Sequence, residues 1–323
     1  MEPKEKNKNR QWERIKVFAG ENYLYIILIL MFFLSGMLSD KFLTKQNIIN
    51  IMTQNAVICI IALGMLYVII TGGIDLSVGS LMAFSVCLTS GMLNQGVPIP
   101  GVIFIVIAVM VLVGSISGAL VAFGKIEPFI ATLAMQTVMR GLAYMYQVGS
   151  VSVISNDIFL EVFGGNAGII PVAVIYMLVI GLILHFVLKN TVFGRKIYAI
   201  GGNKEAASLV GISVKKTLIS VYIISALLSG IAGVLMSARL RVGTALVGEG
   251  TELDAIASVV IGGAAFTGGK GKVLNTLVGA FILGIIGNIM NLMGVATYPQ
   301  MMIKGVIIVL AVLANREQGG KNG

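Results

Sequence analysis

Apolar stretches close to twenty residues long recur from Tyr23 to Leu313, separated by short polar joints. Each is near the length that lets an α-helix cross the roughly 30 Å hydrocarbon core of a bilayer. The pattern predicts ten spans, at about 23–39, 48–70, 76–93, 100–123, 128–147, 170–188, 217–237, 252–266, 273–292 and 300–315. The eighth is too short for a complete helical crossing. Two polar segments stand out between the runs, the stretch 148–168 and the island 189–216.

Glycine interrupts the apolar pattern twice. The first break is Thr71-Gly-Gly-Ile-Asp-Leu-Ser-Val-Gly-Ser80, and the second lies between Gly248 and Gly271. One follows the second span and the other the seventh. Discontinuous helices at corresponding positions of two halves line the path in many transporters. The plainer reading is a pair of short loops. Asp75 argues against a lipid-facing loop, since an Asp at the bilayer centre costs roughly 2.5–3.5 kcal/mol on the insertion scale. Gly72, Gly73, Asp75 and Ser77 on one side, and Glu252 and Asp254 on the other, are therefore candidates for a polar path. Gln136 and Arg140 lie one helical turn apart and share a face. They either add to that path, or Arg140 binds carbonyls of a neighbouring helix, which is the simpler reading.

Composition narrows the class. The chain of 323 residues is 57% hydrophobic and 11% charged, more apolar surface than one or two soluble cores can hide. The 23 Lys and Arg are distributed unevenly. With the N-terminus placed inside, 17 fall in cytoplasmic segments and four (Lys41, Lys45, Arg239, Arg241) fall outside, while Arg140 and Lys304 lie within spans. The sequence thus describes an all-α polytopic membrane protein of about ten transmembrane helices, with interrupted helices and both termini cytoplasmic. Residues 1–22 form a basic cytoplasmic tail, 23–315 a single membrane domain, and 316–323 a cytoplasmic tail. In the first tail Trp12, Ile15 and Phe18 are spaced either for a short surface helix or for a frayed segment.

Several chemistries are poorly supplied. Cys59 and Cys87 sit in apolar runs outside any metal or redox spacing. His185 has no second ligand near it. The segment GGAAFTGGKGK departs from phosphate-loop spacing: Ala264 occupies the glycine position, and Gly271 follows the lysine. It reads as a cytoplasmic turn, and no other stretch offers a nucleotide site. No catalytic triad or metalloprotease helix is present, which leaves only a lipid-modifying enzyme as a catalytic alternative. Ionisable groups inside the apolar runs are sparse: Asp75, Arg140, Asp254 and Lys304. Gly114 with Gly118, and Ala280 with Gly284 and Gly287, form small-residue faces that suit close helix packing, within the chain or between copies.

The island KNTVFGRKIYAIGGNKEAASLVGISVKK carries six Lys or Arg. Within it Glu205-Ala206-Ala207, three further residues and Gly211 describe a short helix with a glycine stop. This motif, in a cytoplasmic loop of a hydrophobic chain, resembles the coupling loop of ABC importer membrane subunits. The segments GGIDLSVGS (72–80), PFIATLAMQTVMRG (128–141), FGRKIYAIGGNKEAASLVGI (193–212), GTELDAIASVVIGG (250–263), GGKG (268–271) and YPQMMIKGVIIVLAVL (298–313) resemble, in order, the ribose/xylose/arabinose/galactose branch, and ribose permeases most. The region after Gly211 lacks the proline of the general motif, as that branch does.

The resemblance implies a permease subunit importing a monosaccharide, D-ribose or a related pentose. Gly194, Arg195, Asn203, Glu205, Ala206, Ala207 and Gly211 would meet a separate ATPase. That partner would bind ATP and Mg, and this chain would bind no cofactor or metal. An extracytoplasmic sugar-binding protein would deliver cargo in a bacterial plasma membrane. A second permease copy, identical or closely related, would complete the pore, and no nucleic acid is expected. A nucleoside or furanose-like signalling molecule is the alternative cargo, and an ion-coupled secondary transporter the alternative mechanism.

Overall fold

A computed structural model describes residues 22–147 and 151–320. The tail carrying Trp12, Ile15 and Phe18 lies outside the described residues. Thirteen helices are present among those described. They are α1 (Tyr23–Leu38), α2 (Lys45–Ile70), α3 (Val78–Asn94), α4 (Ile99–Ala122), α5 (Pro128–Tyr146), α6 (Asp157–Gly164) and α7 (Val172–Asn190). There follow α8 (Val192–Gly202), α9 (Lys204–Leu209), α10 (Val214–Leu240), α11 (Thr251–Ile261), α12 (Val273–Leu292) and α13 (Thr297–Gly320). Five of them, α2, α4, α7, α10 and α12, are long and apolar enough to cross a membrane, and α1, α3 and the first part of α13 are shorter apolar helices.

The centre of the bundle is α2. From Ala56 to Ile70 all but Ile58 are buried, so this stretch has almost no lipid face. It packs against α7, α10, α11 and α12. The second hub, α10, packs on α2, α3 and α4. Its seam with α4 explains the first small-residue face: a Cβ at Gly114 would stand 2.7 Å from the Ile223 Cα, and one at Gly118 2.6 Å from the Ile219 Cα. Ala280 is fully buried, and a Cβ at Gly284 would collide with the Asn55 side chain of α2. Both faces therefore serve packing inside the chain. Gly287 faces open space.

The eighth expected span is short, as the sequence indicated. Residues 252–266 do not form a spanning helix; α11 has 11 residues, about 16 Å at 1.5 Å per residue. Gly262 and Gly263 end it, with Gly263 at φ +83°. Ahead of it lies a non-helical segment, mostly turns. Residues 148–168, read as a plain polar stretch, also contain structure: β1 (Ser152–Val153), α6, and β2 (Asn166–Ala167), which pairs with β3 (Ile170–Pro171). Strand β1 pairs antiparallel with β4 (Val242–Gly243), at the start of that non-helical segment. The last helix runs to Gly320, so regular structure continues into residues 316–320, assigned above to a tail.

Candidate functional site

At the first break, α2 stops where Gly72 adopts φ +78°, and the Gly73 N–H donates back to the Val68 carbonyl at 3.1 Å. This is the glycine stop that satisfies the last helical carbonyls. Beyond it the chain turns, and Asp75, 1% exposed, is held from three sides. The Ser77 N–H (3.0 Å) and hydroxyl (2.5 Å) donate to one carboxylate oxygen, and the Ser225 hydroxyl of α10 donates to the other at 2.7 Å. Thr132 of α5 accepts from the Leu76 N–H at 3.1 Å and donates to the Ile74 carbonyl at 3.2 Å. Buried backbone is thus paired, as an interruption inside a bilayer requires. Gly73 lies against the Tyr222 hydroxyl, 2.8 Å from where its Cβ would be. Asp75 and Ser77 are therefore built into the wall, with their polar atoms turned inward.

The second break begins outside α11. A Cβ at Gly243 would strike the Ser90 hydroxyl of α3, and one at Gly248 would strike the Gly79 carbonyl. Between these contacts the chain advances five residues while α3 advances eleven, about 17 Å along its axis, and from Ala245 to Gly250 the backbone follows turns. The segment 243–248 therefore runs along α3 toward its N-terminal end. A non-helical chain at that depth exposes carbonyls, and α5 supplies their partners. One Arg140 guanidinium nitrogen donates to the Ala245 (2.5 Å) and Val247 (2.7 Å) carbonyls. The Gln147 side-chain oxygen accepts a short hydrogen bond from the Ala245 N–H. Arg140 thus binds carbonyls of a non-helical segment of turns, where the sequence suggested a neighbouring helix.

Gln136, one turn from Arg140, donates to a Glu252 oxygen at 3.2 Å. The other Glu252 oxygen is buried with no hydrogen-bond partner, beside Gly79. Asp254 pairs with Lys304 of α13 at 2.9 Å, in a partly exposed position. The two breaks meet where Gly79 crosses Gly248. Gln136, Arg140 and Glu252 gather around the second of them, and Asp254 faces α13. The partners Gln147, Thr132 and Ser225 were missed by the sequence reading. Among the described residues no group of three or more His, Cys, Asp or Glu is placed to hold a metal ion.

The island folds as two helices and not one. Gly194 permits the tight turn from α7 into α8, since a Cβ there would overlap the Leu188 carbonyl. Thr191 caps α8, accepting from the Gly194 N–H at 3.2 Å, and Asn203 caps α9, accepting from the Ala206 N–H at 2.9 Å. Gly211, at φ +84°, ends α9. The Ile212 N–H returns to the Ala207 carbonyl at 3.0 Å. Ala207 is buried among Ala122, Ile200 and Leu218, so its small size seats α9 on this chain. Ala206, Glu205 and Arg195 are exposed. So are Leu209 and Val210, at 88% and 77%. The sequence signal for that pair was an apolar doublet directly before the glycine stop of a polar loop.

The island is tied to both breaks. Gly269 of the 262–272 turn donates to the Ile70 carbonyl at the end of α2 (2.8 Å), and Gly201 presses on that same carbonyl from α8. Tyr198 donates to the Gly271 carbonyl at 2.7 Å. Burial raises the pKa of that phenol above its ordinary value, which keeps it a donor. A cleft of about 430 Å³ opens at this junction, lined by Thr71, Gly72, Gly201, Asn203, Glu205 and Thr267 among others.

A bundle of long apolar helices with a core interrupted twice, each break closed by buried polar partners, is the architecture of an integral, multi-pass membrane permease. The family model for the permease component of branched-chain amino acid transport systems matches residues 47–312, and the chain belongs to that family. Among relatives, the ribose import permease protein of Haemophilus influenzae is 40% identical over 308 residues, covering 94% of this chain and 95% of that protein. The ribose import permease protein of Bacillus subtilis is also 40% identical over 308 residues (95% and 94%). The D-allose transport system permease protein of Escherichia coli is 37% identical over 308 residues (94% and 92%). No solved structure matches the chain.

Proposed function

We propose that this chain is the membrane permease of an ABC importer for a monosaccharide, D-ribose or a related pentose. Full-length similarity to ribose and allose permeases supports the cargo. One observation carries the coupling role: Leu209 and Val210 stand almost fully exposed at the tip of a capped, glycine-ended helix in a strongly basic loop. Exposed aliphatic pairs on a rigid tip fit a partner's cleft. In this reading the α8–α9 island docks a separate ATPase, with Glu205 and Arg195 flanking the contact. ATP and Mg belong to that ATPase, and an extracytoplasmic binding protein delivers the sugar. A second permease copy, identical or closely related, completes the pore in a bacterial plasma membrane.

Both termini lie in the cytoplasm in this reading. Ten crossings are retained, the eighth made jointly by the non-helical segment 243–248 and the half-helix α11. Residues 1–22 and 316–323 flank the permease domain. Cargo passes beside the second break, where Gln136, Glu252 and Asp254 supply polar groups. Movement of the island reaches that break through Gly201, Gly269 and Gly271.

The test uses the complex assembled with its ATPase and binding protein. Glu205→Lys, Gly211→Val and Leu209→Asp should each lower sugar-stimulated ATP hydrolysis at least fivefold, with membrane insertion of the permease unchanged. Normal stimulated hydrolysis in all three removes the docking role. Absence of pentose uptake by the wild-type complex removes the cargo.

A further inference from the structure

The N-terminal part of α2 carries a polar face that neither break explains. Gln46, Asn50 and Gln54 are exposed, at i, i+4 and i+8. They span about 80° of the helical wheel at about 100° per residue. Gln46 donates to Asn50 at 3.4 Å, so the first two amides are strung along the axis. Gln54 lies six residues inside the span that begins at 48, about 9 Å along the helix, about a third of the way into a roughly 30 Å hydrocarbon core. Three exposed amides descending to that depth are incompatible with a lipid-facing surface, because polar side chains inside a membrane turn to the bundle or to a water-filled cavity.

Neighbouring positions show which helices are already paired. Asn47 exchanges hydrogen bonds with Asn288 of α12 (3.1 and 2.8 Å), and Asn55 abuts Gly284 of α12. On another side Gly64 abuts Ser225 of α10. The amide face lies between these two contacts. Further along that face Val57 and Ile61 are 1% and 0% exposed. The change from open to closed has a cause in the fold. The half-helix α11 packs on both α2 and α12, and its end at Gly262 abuts the first turn of α12 at Asn275. With 11 residues it covers only that half of the bundle. The other half of the same α2 face is left uncovered above its N-terminus.

We infer that Gln46, Asn50 and Gln54 form an amide ladder lining a water-filled vestibule above α11, offering hydrogen bonds to a neutral, hydroxyl-rich cargo. Each primary amide presents both donors and an acceptor, which matches sugar hydroxyls without the strong hold of a charge. Weak, repeated contacts suit a path from which cargo must also leave. The cargo class rests on the proposed function; the vestibule does not.

The test has two arms. In right-side-out vesicles holding the assembled complex, Asn50→Cys and Gln54→Cys should react with a charged, membrane-impermeant thiol reagent at least tenfold faster than Phe104→Cys. Phe104 is 72% exposed on α4, and the native Cys59 and Cys87 are buried and provide a quiet background. Equal rates at the three sites overturn the vestibule. In the second arm, the Asn50→Leu/Gln54→Leu pair should reduce pentose uptake at least tenfold, and Asn50→Gln should retain uptake. Uptake within twofold of wild type in the Leu pair overturns the ladder's contact with cargo. If the Leu pair fails to assemble, the labelling rates decide the vestibule. If the wild-type complex takes up no pentose, the cargo reading fails, while the labelling rates still judge the vestibule.

Discussion

The two breaks solve the same problem with different side chains. Both place non-helical backbone inside a bundle of apolar helices, where unpaired N–H and C=O groups are costly. The first is closed by short groups: Asp75, Ser77, Ser225 and Thr132, each anchored close to the backbone it serves. The second is closed at a distance by the long side chains of Arg140, Gln147 and Gln136. Short side chains have few rotamers and hold one geometry, whereas long ones lose more rotamer freedom when fixed and can follow a moving backbone. The first break is thus a staple and the second a tether. Only the tethered one leaves a buried carboxylate oxygen without a partner, on Glu252.

This contrast can be broken by substitution, and the largest effect is expected at the staple. Asp75→Ala strands three buried donors, and at about 1–3 kcal/mol per stranded group the loss should be about 3 kcal/mol. A lowered thermal unfolding midpoint of the purified protein measures it, and an unchanged midpoint would show that Asp75 is not structural. Next comes the tether. Arg140→Met leaves the Ala245 and Val247 carbonyls unpaired and should cost about 2 kcal/mol, near the value of a charge-assisted hydrogen bond. Arg140→Lys should recover only part of it, because a point ammonium replaces a planar fork.

Gly79→Ala tests the crossing itself. Its Cβ would overlap the Gly248 carbonyl and stand 2.5 Å from a Glu252 oxygen, so overpacking should cost about 1–2 kcal/mol. Gly287→Ala, in open space inside α12, should raise the midpoint instead, by about 0.5–1 kcal/mol, since alanine is the better helix former. The smallest loss is expected at Lys304→Met. The pair it breaks is partly exposed (32% and 20%), so stability should fall by no more than about 1 kcal/mol. Sugar uptake by the assembled complex is the sharper measurement there. A fall in uptake larger than the fall in stability would place the Asp254–Lys304 pair in transport, and a proportional fall would make it a simple fastener.

Much of this was legible because membrane chains obey few rules strictly. Apolar runs marked the long helices within a few residues, and the glycine positions marked both breaks and the end of α9. What stayed hidden depended on contacts between distant residues. Nothing local ties Asp75 to Ser225 or Asp254 to Lys304. Arg140 was suspected of binding carbonyls, yet a non-helical segment running along α3 has no periodic signature, so the acceptors were taken to be helical. The run 252–266 read as a weak span because hydropathy counts apolar residues and is blind to whether the backbone is helical. The resemblance placed Ala207 at the contact with the ATPase, whereas its small side chain packs inward against Ile200 and Leu218.

The buried stretch of α2 also constrains how the protein is made. A helix entering a bilayer first meets lipid on every side, and its partners dock afterwards. Of the helices that finally enclose the region from Ala56 to Ile70, α7, α10, α11 and α12 begin more than a hundred residues later in the chain. During synthesis α2 must therefore wait in lipid with the Asn47 side-chain oxygen unpaired until Asn288 of α12 arrives. Truncation before α12 would leave that amide oxygen facing hydrocarbon, a state membrane quality-control proteases can recognise, so completion of the permease is coupled to the arrival of its penultimate helix.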